Sequence, residues 1–272
     1  MEAVRHYTAY KPRPFTRDQR KDVTVLFGGL TWKHERLIQG ALQNLGYKAE
    51  TLPNIAREDL DAGKELIDVG ACCPTTFTTG NLVRFLKERS AIEGPEAASN
   101  NYVFMTAGAC GPCRFGQYHE SYTMALDGIG LRDFRLFLLD QTNLDQGAAA
   151  GGGLEVNLPF TLGIIWGVLC GDILTDLEYR TRPYEVVPGT TDRVLKEATE
   201  RLYEAFRHRP ARKSKLGAVA WHLLTRRFTN ALRDVKKMFD AIEVDRLRVK
   251  ALVKITGDVR GVTMRKQGSG GA

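Results

Sequence analysis

The sequence predicts an α/β fold of Rossmann-like βαβ layers on a mostly parallel sheet, in two lobes, with a helical and basic C-terminal part. Three observations predict it. Residues 23–52 read strand, glycine turn, helix, strand, which is the grammar of a βαβ unit. Residues 102–139 repeat that order. Beyond Thr190 the pattern changes to basic, amphipathic helical segments.

Met1 to Asp22 is a polar leader with Pro12 and Pro14, extended and loosely docked. Val23 to Phe27 is a continuous apolar run of the kind a parallel strand buried on both faces shows. Gly28, Gly29, Leu30 and Thr31 turn the chain into a helix over 32–45, with Leu37, Ile38, Ala41, Leu42 and Leu45 at helical spacing. Gly46 suits its C-terminal cap, and Tyr47 to Leu52 is a second short strand closed by Pro53. The Gly28-Gly29 turn could cradle a phosphate at a helix N-terminus. It lacks both the G-x-G-x-x-G pattern and a Walker lysine, so a plain tight βα turn is the default.

Glu58 to Val69 is amphipathic and leads to Cys72-Cys73-Pro74-Thr75-Thr76, followed by a helix over 81–87. Two readings stand side by side here. One is a ligand turn that caps a helix, with hydroxyls such as that of Thr75 donating to a bound group. The other is an N-cap by Thr78 or Thr79 beside buried structural thiols. Ser90 to Asn101 reads as a polar loop. Tyr102, Val103 and Phe104 then open a strand that ends in the turn Gly108-Ala109-Cys110-Gly111-Pro112-Cys113-Arg114. Two cysteines three apart let their sulfurs converge on one metal or cluster, or form a redox disulfide. A zinc knuckle and two ordinary turn thiols are the alternatives. The fixed charge of Arg114 would favour thiolate at Cys113. A helix through Tyr118, Tyr122 and Leu126 ends near Gly128, and Phe134 to Leu139 is the next strand.

Gln141 to Pro159, with its three glycines at 151–153, is an active-site loop or a hinge. Phe160 to Asp176 is strongly apolar. The spacing of Gly163, Gly167 and Gly171 predicts a buried helix with close neighbours rather than a membrane span. Cys170, next to Asp172, reads equally as core packing or as a ligand. The group Arg180-Thr181-Arg182-Pro183-Tyr184-Glu185 could bind an anion or fix a contact between elements. Thr190 to Arg207 is a helix capped by Thr190 or Thr191, and Ala218 to Phe239 is a basic amphipathic helix. Leu252 to Thr256 looks like the first strand of a further unit, with Gly257 its turn; no unit follows, so a truncated chain is expected. The domain reading is a leader (1–22), an α/β lobe with the cysteine turns (23–145), a more helical lobe (146–257) and a linker-like tail (258–272).

Composition bounds the function class. The 272 residues are 43% hydrophobic and 26% charged, ordinary values for a globular protein. The N-terminus has no secretory signal, so a cytoplasmic location with reduced cysteines is expected. Net charge is +7, and residues 192–254 carry 17 Lys and Arg against 8 Asp and Glu. No nucleic-acid motif accompanies that charge, and a solvated helical face docked on another element explains it.

Several motifs are specific together: Gly28-Gly29-Leu30-Thr31, Cys73-Pro74-Thr75, Thr79-Gly80-Asn81-Leu82, Gly108 to Tyr118, and Gly171-Asp172-Ile173-Leu174 leading into Arg182-Pro183-Tyr184-Glu185. In this order, over roughly 23–257, the chain resembles the acyl-CoA dehydratase activase-related proteins of the 2-hydroxyacyl-CoA dehydratase and benzoyl-CoA reductase group. The resemblance implies an oxygen-sensitive iron–sulfur cluster, [4Fe-4S] or a double-cubane relative, used in anaerobic electron transfer. It implies Cys73, Cys110 and Cys113 as ligands, Cys170 as a weaker fourth, and Cys72 as a neighbour. Arg114, Thr75 and the backbone at Gly111 would tune the cluster. The implied partners are an ATP-dependent activase, another cluster-binding subunit and an acyl-CoA, with neither nucleic acid nor membrane. The chain itself carries no ATPase signature. A non-catalytic scaffold with a zinc or vestigial site, and a 2-hydroxyacyl-CoA dehydratase subunit, are the alternative functions.

Overall fold

The computed structural model describes residues 13–108, 114–139, 152–208 and 215–250. Four parallel strands form one sheet in the order β2-β1-β3-β4: β1 (Thr24–Phe27), β2 (Lys48–Thr51), β3 (Tyr102–Ala107) and β4 (Arg135–Leu139). Val25 pairs with Ala49 on one side and Val103 on the other, and Phe104 pairs with Leu136. All four residues of β1 are buried, because helices cover both faces of the sheet. The α/β, parallel-sheet expectation is met.

On one face, α1 (Trp32–Asn44) and α6 (Leu158–Thr181) bury Ile38, Leu42 and Phe160 against Val25, Val103 and Phe137. On the other, α3 (Cys73–Glu93) and α5 (Tyr118–Gly128) bury Leu82, Leu86, Tyr122 and Leu126 against Leu26, Phe104 and Leu136. The described part of the leader, residues 13–22, is more firmly held than its polarity suggests. Phe15 is completely buried beneath the sheet, its carbonyl accepts from the Gly153 amide, and Arg20 donates to the Gly152 and Gly153 carbonyls.

Several boundaries differ from expectation for identifiable reasons. α3 begins at Cys73, eight residues before the expected start. Pro74 sits in its first turn, where a missing amide costs no hydrogen bond and the fixed φ suits the helix. Thr78 and Thr79 are therefore inside the helix, and Thr78 Oγ1 donates back to the carbonyls of Pro74 and Thr75. The polar stretch after Ser90 finishes α3 and forms α4 (Pro95–Asn101). The basic helix expected over 218–239 is two, α8 (Lys215–Leu224) and α9 (Arg227–Asp240). α2 (Arg57–Lys64) crosses α3 so closely that a Cβ on Gly63 would meet the Thr76 carbonyl, and one on Gly80 the Asp59 carbonyl. Asp59 ties the crossing: Oδ2 accepts from the Ala56 amide at 2.7 Å and from Asn81 at 3.2 Å, and Oδ1 from Arg84 at 2.7 Å.

The helical layer of α6, α7 (Thr190–Arg207) and α9 builds a second core with α1, around Leu37, Leu174, Leu202, Phe206, Phe228 and Val235. Inside it Lys33 Nζ meets Glu178 Oε2 at 2.5 Å, with the two side chains 6% and 3% exposed. Arg182 reaches the same carboxylate at 2.8 Å and extends to Asp192. Glu185 accepts from the Gly189 and Thr191 amides at the start of α7, whose cap residue is Gly189 rather than a threonine. The Tyr184 carbonyl accepts from the Asp245 amide. The arginine-rich group at 180–185 thus fixes contacts between α6, α7 and the segment after α9.

α6 is covered on one side only. The helix over Leu158–Tyr184 is long and apolar enough to cross a membrane by length and composition. Gly163, Gly167 and Gly171 are buried as predicted, with Gly167 against Ile38 and Gly171 against His34. On the opposite side Leu158, Ile165, Val168, Leu169, Ile173 and Tyr179 are all exposed.

Candidate functional site

The strand order sets where a ligand can sit. From β1 the chain crosses to β2 on one side, and from β3 to β4 on the other. The connections diverge between β1 and β3, and open parallel sheets bind ligands outside the strand C-termini at such a switch point. Two of the turns singled out in the sequence emerge there. Gly28 to Thr31 follows β1, and Gly108, whose amide donates to the Leu139 carbonyl, follows β3. Cys110, Gly111 and Cys113 lie outside the described residues, as does the side chain of Arg114.

The chain returns as a 3-10 turn over Arg114–Gln117 and enters α5 at Tyr118. Tyr118 is buried, and its Oη lies 3.5 Å from Cys72 Sγ. Cys72 is the cap residue of α3, and its sulfur also lies 2.8 Å from the buried Thr75 hydroxyl. Phe115 and Cys72 pack on the apolar cluster that contains Leu26, Leu52, Phe104 and Tyr118. The Cys72-Cys73 turn and the residues just after Cys113 therefore meet on one face of the sheet.

Within that meeting the two adjacent cysteines face different ways. Cys72, expected as a neighbour, points inward at Tyr118 and Thr75. Cys73, expected as a ligand, is exposed. Neighbouring residues at a helix start point about 100° apart, so only one can face the core. Thr75, expected to donate to a bound group, has its hydroxyl engaged with Cys72.

Cys170 does not join them. It is fully buried on α6 among Leu37, Leu174 and Leu195, in the core on the other side of the sheet, and burial pushes its thiol up to about 12. Of the two readings the sequence left open for Cys170, this placement is the one core packing requires. We expect iodoacetamide at pH 8 to alkylate Cys73 in the native protein and to spare Cys170. Peptide mass spectrometry checks this; fast modification of Cys170 would contradict its placement. Among the described residues no group of three His, Cys, Asp or Glu side chains could hold a metal ion.

The β1 side of the switch point holds polar groups that the sequence reading did not bring together. Gly29 has φ +88° and lets the turn close. The Leu30 amide donates to Glu35 Oε1 at 2.9 Å, so a carboxylate of the chain itself takes the place a phosphate would need. Thr31 caps α1, and its Oγ1 lies 2.6 Å from His34 Nδ1; His34 Nε2 lies 3.1 Å from Asp172 Oδ1. Desolvation lowers the His34 pKa below its ordinary 6.5, opposed by the hydrogen bond and charge of Asp172 and reinforced by Lys33. No pattern in the sequence links His34 to a carboxylate 138 residues away.

The chain matches no family model, no curated protein and no solved structure. The functional reading rests on its own residues.

Proposed function

We propose that this chain is an iron–sulfur cluster-binding redox module, related to the 2-hydroxyacyl-CoA dehydratases and their activases, that takes a low-potential electron from a separate ATP-driven activase. The observation that carries the proposal is the approach of the Cys72-Cys73 turn to the start of α5, five residues after Cys113 in the sequence, through Cys72 Sγ and Tyr118 Oη.

The donor set fits such a cluster. Soft thiolates from separate loops are the ligands iron–sulfur clusters take, and Cys110 and Cys113 with Cys72 or Cys73 would supply them. When bound, the cluster would accept and release single electrons. The chain's residues would set the surroundings. The Thr75 hydroxyl can donate to a sulfur, which stabilises thiolate. Phe115 and Tyr118 give one wall an apolar character and limit access of water. Arg114 adds a fixed positive charge next to Cys113 in sequence. A second, partner cluster subunit and an acyl-CoA belong to the same proposal.

Anaerobic purification with iron and acid-labile sulfide assays tests it. About four irons and four sulfides per chain are expected, with a broad visible band that dithionite bleaches. Separate Cys72→Ser and Cys73→Ser variants then identify which thiol is the ligand, by which one loses iron. Stoichiometric zinc, or no metal after reconstitution, would overturn the reading.

A further inference from the structure

A hydroxyl, an imidazole and a carboxylate stand in series at the N-terminus of α1. A carboxylate can only accept, so His34 Nε2 carries the ring proton and donates it to Asp172 at 3.1 Å. Nδ1 is then the acceptor, and the Thr31 hydroxyl donates to it at 2.6 Å. A nucleophile within hydrogen-bond reach of a base, itself oriented by a third group, is the arrangement by which hydroxyls are activated.

Two further observations separate this from an ordinary helix cap. The capping bond from the His34 amide to Thr31 Oγ1 is long, 3.5 Å, so the hydroxyl's short contact is with the ring. The ring is also housed: a Cβ on Gly171 would overlap its Cδ2 and Nε2, and the next residue, Asp172, supplies the carboxylate. A cap requires neither a cradle nor a partner from α6. The group stands at the β1 end of the switch point, with Thr31 half-buried and Leu30 beside it exposed. The charged groups around the ring are Asp172, which favours its protonation, and Lys33, which opposes it; burial keeps it neutral, as a base must be.

We infer that Thr31, His34 and Asp172 form a nucleophile, base and positioning carboxylate that take acyl groups from small activated esters or thioesters, an activity beyond the redox reading. In the first step Thr31 Oγ1 bonds to the acyl carbon while its proton moves to His34 Nδ1. The bond from carbon to the leaving oxygen or sulfur breaks, and the leaving group takes that proton. Water then attacks the threonyl ester, gives a proton to Nδ1, and the acid departs as Thr31 recovers its hydrogen. Water is the only co-reactant and no electrons are transferred. Asp172 accepts from Nε2 throughout and holds the ring.

The test uses the full chain with p-nitrophenyl acetate, acid quench and peptide mapping, since exposed Cys73 also reacts with active esters. An acetyl group on the peptide containing Thr31 is expected, with a rate that rises with pH and levels off below neutrality. Thr31→Asn keeps a capping side chain, so it should melt like the parent while losing that acetyl group. Thr31→Ser should retain it. Asp172→Asn, at an exposed position, should slow acylation about 100-fold and displace the pH profile, which loss of a purely structural contact would not do. No acetyl group on Thr31, or an unchanged rate in Thr31→Asn, would reduce Thr31 to a helix cap. The assay needs neither iron nor activase, so its outcome is independent of the iron analysis.

Discussion

Lys33→Met is expected to lower stability by about 3 kcal/mol, because it strands most of a buried carboxylate's compensation. Glu178 is nearly inaccessible, and Lys33 Nζ approaches it at 2.5 Å. Arg182, which also reaches Glu178, is one-third exposed and is shared with Asp192, so it replaces only part of the lost charge. The companion Glu178→Leu should be comparably costly, since it leaves Lys33 in the apolar layer. The double variant should recover much of the loss, because two apolar side chains suit a core built from Leu37, Leu174 and Phe206. Urea unfolding of all four proteins, with unchanged m-values, measures the coupling. Costs that simply add would show that the two charges are not a unit.

Gly80→Ala is expected to cost about 3 kcal/mol, the upper end of ordinary overpacking, because what stands in the way is backbone. A side chain could swing aside; the Asp59 carbonyl cannot, since Asp59 is held by Ala56, Asn81 and Arg84. α2 would have to lift from α3, and α3 carries Cys72 and Cys73 at its first turn. Gly128→Ala is the control: its Cβ would meet only Leu66 at ordinary contact distance, and alanine loses less backbone freedom on folding, so it should be neutral or stabilising by about 0.5 kcal/mol. Urea unfolding again decides. Equal midpoints for Gly80→Ala and the parent would mean that the helices are not so tightly crossed.

The sheet was legible because its signals are local. An apolar run such as Val23 to Phe27, followed by glycines and a helical period, can be read without knowing what packs on it. The start of α3 was misread because Pro74 breaks helices in mid-course yet suits their first turn, and only the backbone distinguishes the two. The helix-period pattern of α6 and its glycines predicted a close neighbour correctly. It did not say that only the glycine side would be covered, because an apolar residue facing water has the same letter as one facing a core. That the Cys72-Cys73 turn approaches the start of α5 was partly legible from the place of these segments before α3 and after β3. That Cys72 faces inward and Cys73 outward was not, since it depends on the rotation of one helix. His34 and Asp172 were invisible as a pair for a different reason: they are joined by a contact across 138 residues, and Gly171 reads as a packing glycine until the imidazole beside it is seen.

The seat of α6 on α1 also bears on how the chain reaches this structure. The contacts that secure it join residues 138 and 145 positions apart, His34 to Asp172 and Lys33 to Glu178. Such long-range closures are slow to form, and β1, α1 and β3 leave the ribosome well before α6 exists. Until α6 docks, the α1 surface around Lys33 and Leu37 waits uncovered, and the new helix presents an apolar surface all round. α6, and α7 after it, are thus late pieces of assembly, and until they settle this apolar surface is open to misplaced contacts.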